Sequence, residues 1–231
     1  MNTFWLKIHA PFAAFRGFQA GVYRSTAPVM PPSTAYGLVL NLAGIEMRDY
    51  SNLKTTEILK ALPCLRLAIG VIQQPEKNSI YQQLHSYRVG TDEKTKQLAK
   101  LTLGAKSWLT PVRRELLVNY VGIIGIQTVD ETLQEQIKKG LRGELEKPRY
   151  GLPFAGDNNL LFDRIDLIAE PPPETYWYAR MMPDDAPRKG SCRLTVGIDR
   201  ADNSKTSAPL FAPDERSSTP PESAWTWTPH E

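Results

Sequence analysis

Cysteine and histidine are scarce in this chain, and the scarcity is informative. Two cysteines (Cys64, Cys192) and three histidines (His9, His85, His230) lie far apart and form no CxxC or similar spacing. This excludes a disulfide-stapled miniprotein and argues against a structural zinc site, so no metal or other cofactor is expected. Reduced thiols in a cytoplasm are the default reading. No apolar run approaches the length that spans a bilayer, so no membrane partner is expected. The opening residues MNTFWLKIHAPF lack the basic start and long apolar stretch of a signal peptide. Glycine is outnumbered by proline, 15 to 19, which favours stiff, extended connections. No internal repeat is visible.

What is present fits a globule of one large or two small domains: 231 residues, 41% hydrophobic and 23% charged. The net charge of +3 hides an asymmetry. Residues 48–114 hold 12 basic and 5 acidic side chains, whereas residues 115–231 hold 13 and 19. Such a division suggests one surface facing a polyanion and another facing protein or water, with a solvated lysine-rich loop as the alternative.

Residues 3–10 alternate as a strand. An arginine-bearing aromatic loop follows over 11–32, and Ser33 is a plausible N-cap for a helix over 34–44 that Gly44 ends. Residues 65–72 (LRLAIGVI) read as a buried strand, and residues 73–110 as a polar, basic insertion. Residues 114–127 read as a strand after Pro111. Thr128 and Glu131 have capping-box spacing, and Leu133, Ile137, Leu141 and Leu145 carry an amphipathic helix over 129–145. Residues 160–168, 175–181 and 191–198 are further strands. Residues 201–231, rich in Pro, Ser and Asp, read as a mobile tail. The order β-α-β, insertion, β-α-β is that of an α+β, ferredoxin-like palm over 1–72 and 111–200, with an inserted basic hairpin over 73–110 and extra C-terminal strands.

Three segments carry a resemblance. The first combines Ala13-Ala14-Phe15-Arg16, Thr26-Ala27-Pro28, Pro31-Pro32-Ser33 and Gly37. The second is Pro111-Val112-Arg113-Arg114-Glu115-Leu116-Leu117. The third is Pro148-Arg149-Tyr150-Gly151-Leu152-Pro153-Phe154-Ala155-Gly156-Asp157-Asn158-Asn159. Together they resemble the Cas-five family of CRISPR-associated proteins, and the third is similar to its DevS-like branch. The resemblance implies a RAMP palm with an inserted thumb, acting as a subunit of the Cascade surveillance complex. Such a subunit caps the 5′ handle of crRNA, touches the backbone and large subunits, and meets target DNA only indirectly. In most branches it cuts nothing; in one it processes pre-crRNA as a metal-independent endoribonuclease. The sequence leaves open whether the complex recruits a nuclease-helicase or, if transposon-encoded, transposition proteins.

Within that frame the expected RNA contacts are Phe15, Arg16, Tyr23, Arg24, Ser25, Thr26, Ser33 and Tyr36 in the first loop. In the insertion and its return they are Tyr87, Arg88, Lys94, Lys96, Lys106, Trp108, Arg113 and Arg114. Arginines can pair phosphate oxygens, aromatics can stack splayed bases, and the helix start at Ser33 would offer N–H groups to a phosphate. The bland alternative is that the aromatics are core and the arginines solvated. The Gly156-to-Asn159 stretch reads as a tight turn, with a structural or subunit-facing role for Asp157 as its rival. No catalytic residue is expected. His9, at the end of the first strand, and His85, near Tyr81 and Tyr87, are what an acid/base mechanism would draw on.

Overall fold

The computed structural model describes residues 1–17, 22–49, 58–59, 61–88, 107–199 and 202–229; for 84–88, 107–110 and 203 it describes the backbone alone. Strand β1 (Asn2–Ala13) buries Phe4, Leu6, Ile8 and Ala10 on one face, as its alternation predicts, and turns Trp5, Lys7 and His9 to the other. It runs three residues further than the sequence indicates. A two-residue strand, β2 (Tyr23–Arg24), interrupts the following loop.

Helix α1 (Pro32–Leu42) starts two residues earlier than expected. Pro31 occupies the N-cap, Pro32 supplies the preset φ of the first turn, and Ser33 lies inside the helix. Its C-terminus closes with Gly44 at φ +73°, where Gly44 N–H donates to Asn41 and Ile45 N–H to Leu40. This paired closure satisfies two orphan carbonyls and requires a residue tolerant of left-handed backbone.

Strands β3 (Leu65–Val71), β4 (Glu76–Arg88) and β5 (Ser107–Thr128) follow. Helix α2 (Leu133–Arg142) is shorter than the 129–145 of the sequence reading. The Thr128 capping box does not form: Thr128 Oγ1 accepts from the Asp130 N–H, and Asp130 in turn accepts from the N–H and hydroxyl of Thr132, so the turn is used before the helix begins. Leu133, Ile137 and Gly140 form the buried stripe. Gly140 faces the backbone carbonyl of Leu42, and a Cβ there would collide with it, so the absence of a side chain sets the helix–helix approach.

Strands β6 (Arg164–Ile168), β7 (Tyr176–Arg180), β8 (Cys192–Arg193), β9 (Leu210–Arg216) and β10 (Trp225–Thr228) complete the sheet. The palm order is β6-β1-β5-β3, every neighbour antiparallel. This is the ferredoxin-like arrangement, and α1 and α2 cover the face bearing Phe4, Leu6, Ile8, Ile124 and Ile126.

The other face departs from the sequence reading. Residues 201–231 were expected to be a mobile tail, but β9 pairs with β7 and β10 pairs with β3. The physical reason is a tryptophan cluster. Trp5 packs between Trp177 and Trp225 with ring centroids 5.8 Å away on each side, beside Ile123 and Ala68. Trp177 is fully buried and its indole N–H donates to the Ser217 carbonyl at 2.9 Å. Aromatic burial holds a segment whose Pro/Ser/Asp composition suggests disorder. The sheet face that many ferredoxin-like domains leave open is therefore sealed over β1, β5 and β3.

The basic insertion also takes a definite form over its described part. β4 pairs with the outer half of β5 from Glu76↔Val118 to Arg88↔Ser107, so the expected boundary at Pro111 falls inside one continuous strand. Pro111 is tolerated because β5 has a partner on one side only at that point. Asn119, φ +51°, lies where the neighbour of β5 changes from β3 to β4 while β1 stays paired on the other side to Leu117; no other described non-glycine residue has positive φ.

Candidate nucleic-acid interface

Of the residues expected to touch RNA in the first loop, three are built into the scaffold. Phe15 is 1% exposed and meets Tyr120 edge-on at 5.2 Å, so it cannot stack on a base. Tyr36 is 4% exposed and donates to the Pro63 carbonyl. Thr26 is buried; its hydroxyl accepts from the Phe15 N–H at 2.8 Å, locking the loop closed. The helix start is equally committed. Ser33 N–H donates to the Thr195 carbonyl, Thr34 and Ala35 N–H donate to Pro31, and Pro32 has none, so no phosphate cradle exists there.

Arg16 is exposed and Arg24 half-buried; neither has an ion-pair partner among the described residues. Ser25 is half-buried beside them. Arg114 is spoken for: its guanidinium pairs with Asp157 at 2.5 Å, both side chains largely buried. Asp157 also accepts from the Asn159 backbone and side-chain amides. Burial works against its ionisation, but those hydrogen bonds and the Arg114 charge outweigh it and hold the carboxyl below its usual range. Asp157 thus closes a turn and neutralises an arginine.

The arm gathers what the loop does not. Across three neighbouring strands, Tyr23 of β2, Arg113 of β5 and Tyr81 of β4 stand in register on one face. Tyr23 is 44% exposed and Tyr81 74%. Arg113 is exposed, and its Nε and Nη2 both donate to Ser79 Oγ at 3.1 Å, which fixes the guanidinium plane. Glu115, two residues on, accepts from the Tyr23 hydroxyl at 2.7 Å and from the Thr26 N–H at 3.0 Å, with Lys77 at 3.9 Å. Burial again opposes the charge, but these donors and the nearby cations hold Glu115 below its usual range, while its carboxylate raises the Tyr23 hydroxyl. Tyr81, Ser79, Lys77 and Glu115 were not among the expected contacts. A period-two reading of 77–83 against 111–115 would have put them on one face, once the hairpin register was known.

Further out, Tyr87, Arg88 and Trp108 lie on paired strands, with their side chains outside the description, and Lys94, Lys96 and Lys106 lie outside the described residues. The side chain of His85 falls there too. His9 sits on the sheet face away from the helices, with Nδ1 3.1 Å from Asp163 Oδ2 and Nε2 3.0 Å from Asn119 Oδ1. Both ring nitrogens are thus engaged. Cys192 is mostly buried, which pushes its thiol up to about 12 and leaves it unreactive.

A separate surface lies behind α1. A recess of about 740 Å³ runs between that helix and residues 148–154, with Tyr150, Leu152 and Phe154 exposed along it. The loop is anchored, since Asn41 donates to the Tyr150 carbonyl and Arg149 to that of Gly140.

The model of the family described as CRISPR-associated protein (Cas_Cas5) matches residues 3–151. The chain belongs to this Cas-five family. Its fold agrees with a solved structure described as a CRISPR RNA-guided surveillance complex, at 13% identity and a TM-score of 0.54, covering 96% of each chain. A second, described as a crystal structure of a Cas protein, matches at 11% identity and a TM-score of 0.47 over 94% of this chain and 96% of that one. No curated protein matches. In this Cas-five protein the family match thus ends near the start of the loop that carries Tyr150, Leu152 and Phe154.

Proposed function

We propose that this protein is a non-catalytic, cytoplasmic subunit of a type I CRISPR surveillance complex, of the DevS-like branch, that binds and caps the 5′ handle of crRNA. The observation that carries the reading is the solvent-facing Tyr23–Arg113–Tyr81 row at the root of a lysine-bearing arm. Aromatic faces beside a fixed guanidinium are the chemistry that holds single-stranded nucleic acid. In the basic segment between β4 and β5, Lys94, Lys96 and Lys106 are candidate phosphate partners, with Arg88 and Arg16 as further cations. The backbone and large subunits dock elsewhere, and the anchored apolar loop over 150–154 is the surface suited to protein contact.

The test is a reconstituted complex with repeat-derived RNA. Reversing charge at Lys94, Lys96 and Lys106 together should weaken retention and flatten its salt dependence, since each single-strand phosphate contact adds about 0.7 to the slope. An unchanged slope overturns the RNA-tracking role. The endoribonuclease reading is met by incubating purified protein with unprocessed repeat RNA in EDTA. A single discrete cut, lost in His9→Ala or His85→Ala, would replace the non-catalytic reading.

A further inference from the structure

The row at the arm's root differs from an ordinary phosphate-binding patch in one respect: a carboxylate lies in its middle. Glu115 sits two residues from Arg113 on the same strand face, and Lys77 is the cation beside it. A carboxylate repels phosphate but accepts hydrogen bonds from the amino groups on base edges. Its four lone-pair sites are not exhausted by the Tyr23 hydroxyl and the Thr26 N–H. The two tyrosines flank Arg113 from adjacent strands, so their backbones stand about 10 Å apart. That spacing leaves room for one planar ring above the guanidinium. Ser79 holds Arg113 through two of its three nitrogens, keeping the cation flat beneath the ring it would face.

We infer that this site clamps one unstacked RNA base between Tyr23 and Tyr81, over Arg113, with the base's exocyclic amino group directed at Glu115. It deepens the RNA-binding reading and rests on it. The site takes a base rather than a phosphate, and it prefers bases that carry an amino group over uracil.

The probe is a short single-stranded repeat RNA bearing 2-aminopurine at successive positions, titrated with the full-length protein, alongside the same RNA made abasic at each position. At one position the fluorescence should be quenched on binding. Tyr81→Ala should remove that quenching and weaken binding roughly 5- to 100-fold on the intact RNA, with little further loss on the abasic RNA and no change in salt slope. Tyr81→Phe should retain both signals. Glu115→Gln should narrow the preference for 2-aminopurine over uridine several-fold. Tyr81 is largely exposed, so its variants keep the fold. If Tyr81→Ala costs the same on intact and abasic RNA, or if the salt slope falls with it, the residue contacts backbone and the clamp is wrong while RNA binding stands. Wild-type protein showing no salt-dependent RNA binding sinks the underlying reading and the clamp with it.

Discussion

Residues 120–128 and 107–118 belong to one strand but live under different rules. In the palm, Tyr120, Ile123, Ile124 and Ile126 are all fully buried, on both faces of the sheet. In the arm, Pro111 and Arg113 are exposed and the partner strand turns Glu76, Lys77, Tyr81 and Gln83 to solvent. The difference is cover. α1 and α2 seal one face of the palm, and the Trp5–Trp177–Trp225 cluster seals the other. Beyond Asn119 the described arm is a hairpin with β2 alongside, which buries Val112, Leu116 and Leu117 but leaves its other face open to solvent. Stability concentrates in the C-terminal half of β5 and recognition chemistry in its N-terminal half, so substitutions in the two should separate cleanly.

The largest effect should come from breaking the palm's second seal. Trp177→Ala empties a fully buried aromatic site and should cost about 3–5 kcal/mol, read as a fall in the urea midpoint at unchanged slope. Deleting residues 217–229 should be worse still, because it bares Trp5, Ile123 and Trp177 together.

Next is the junction of loop and arm. Asp157→Asn leaves Arg114 largely buried beside a neutral amide and should cost about 2 kcal/mol at neutral pH. The sign with pH follows from the lowered native value. Asp157 stabilises fully above the ordinary carboxylate range, and the contribution is lost as pH falls through that range into the depressed one. The variant's acid unfolding curve should therefore be flatter than the wild type's, and the two should converge at low pH. Parallel curves would show that Asp157 contributes nothing through its charge.

The boundary itself is sharpened at Asn119. Asn119→Val puts a β-branched residue at φ +51° and should cost roughly 1–3 kcal/mol. Asn119→Gly relieves the backbone and loses the His9 contact, so thermal midpoints should rank Gly well above Val. The smallest effect belongs to the arm: Tyr81→Ala should leave stability within about 0.5 kcal/mol while lowering RNA affinity.

The palm's elements were legible because burial on one face leaves a period. The alternation of Phe4, Leu6, Ile8 and Ala10 and the four-residue steps of Leu133 and Ile137 gave strand and helix directly. The C-terminal strands were hidden because β10 is held by long-range partners, Trp5 and Arg66, rather than by local pattern. The site was legible by composition but not by placement. Phe15 beside Arg16 looks like Tyr23 beside Arg24, yet Phe15 points at Tyr120 and Tyr23 at solvent, and only the strand register distinguishes them. Arg113 and Arg114 are adjacent cations on paper. Opposite faces of β5 send one to Ser79 and the other to Asp157.

The left-handed residue Asn119 also has a mechanical side. Twelve residues separate it from Ser107, but β1 holds the strand as far as Leu117 and β2 holds Arg113 and Arg114, so only the outermost part stands on β4 alone. Six residues separate Arg113 from Ser107, roughly 20 Å, so a swing of about 10° in that part would carry Ser107 by about 3–4 Å. His9 ties Asn119 to Asp163 across β1, and the Asp163 N–H returns a bond to the His9 carbonyl. The inner end of the arm is thus braced by an imidazole that bridges Asn119 and Asp163, in addition to the strand pairing.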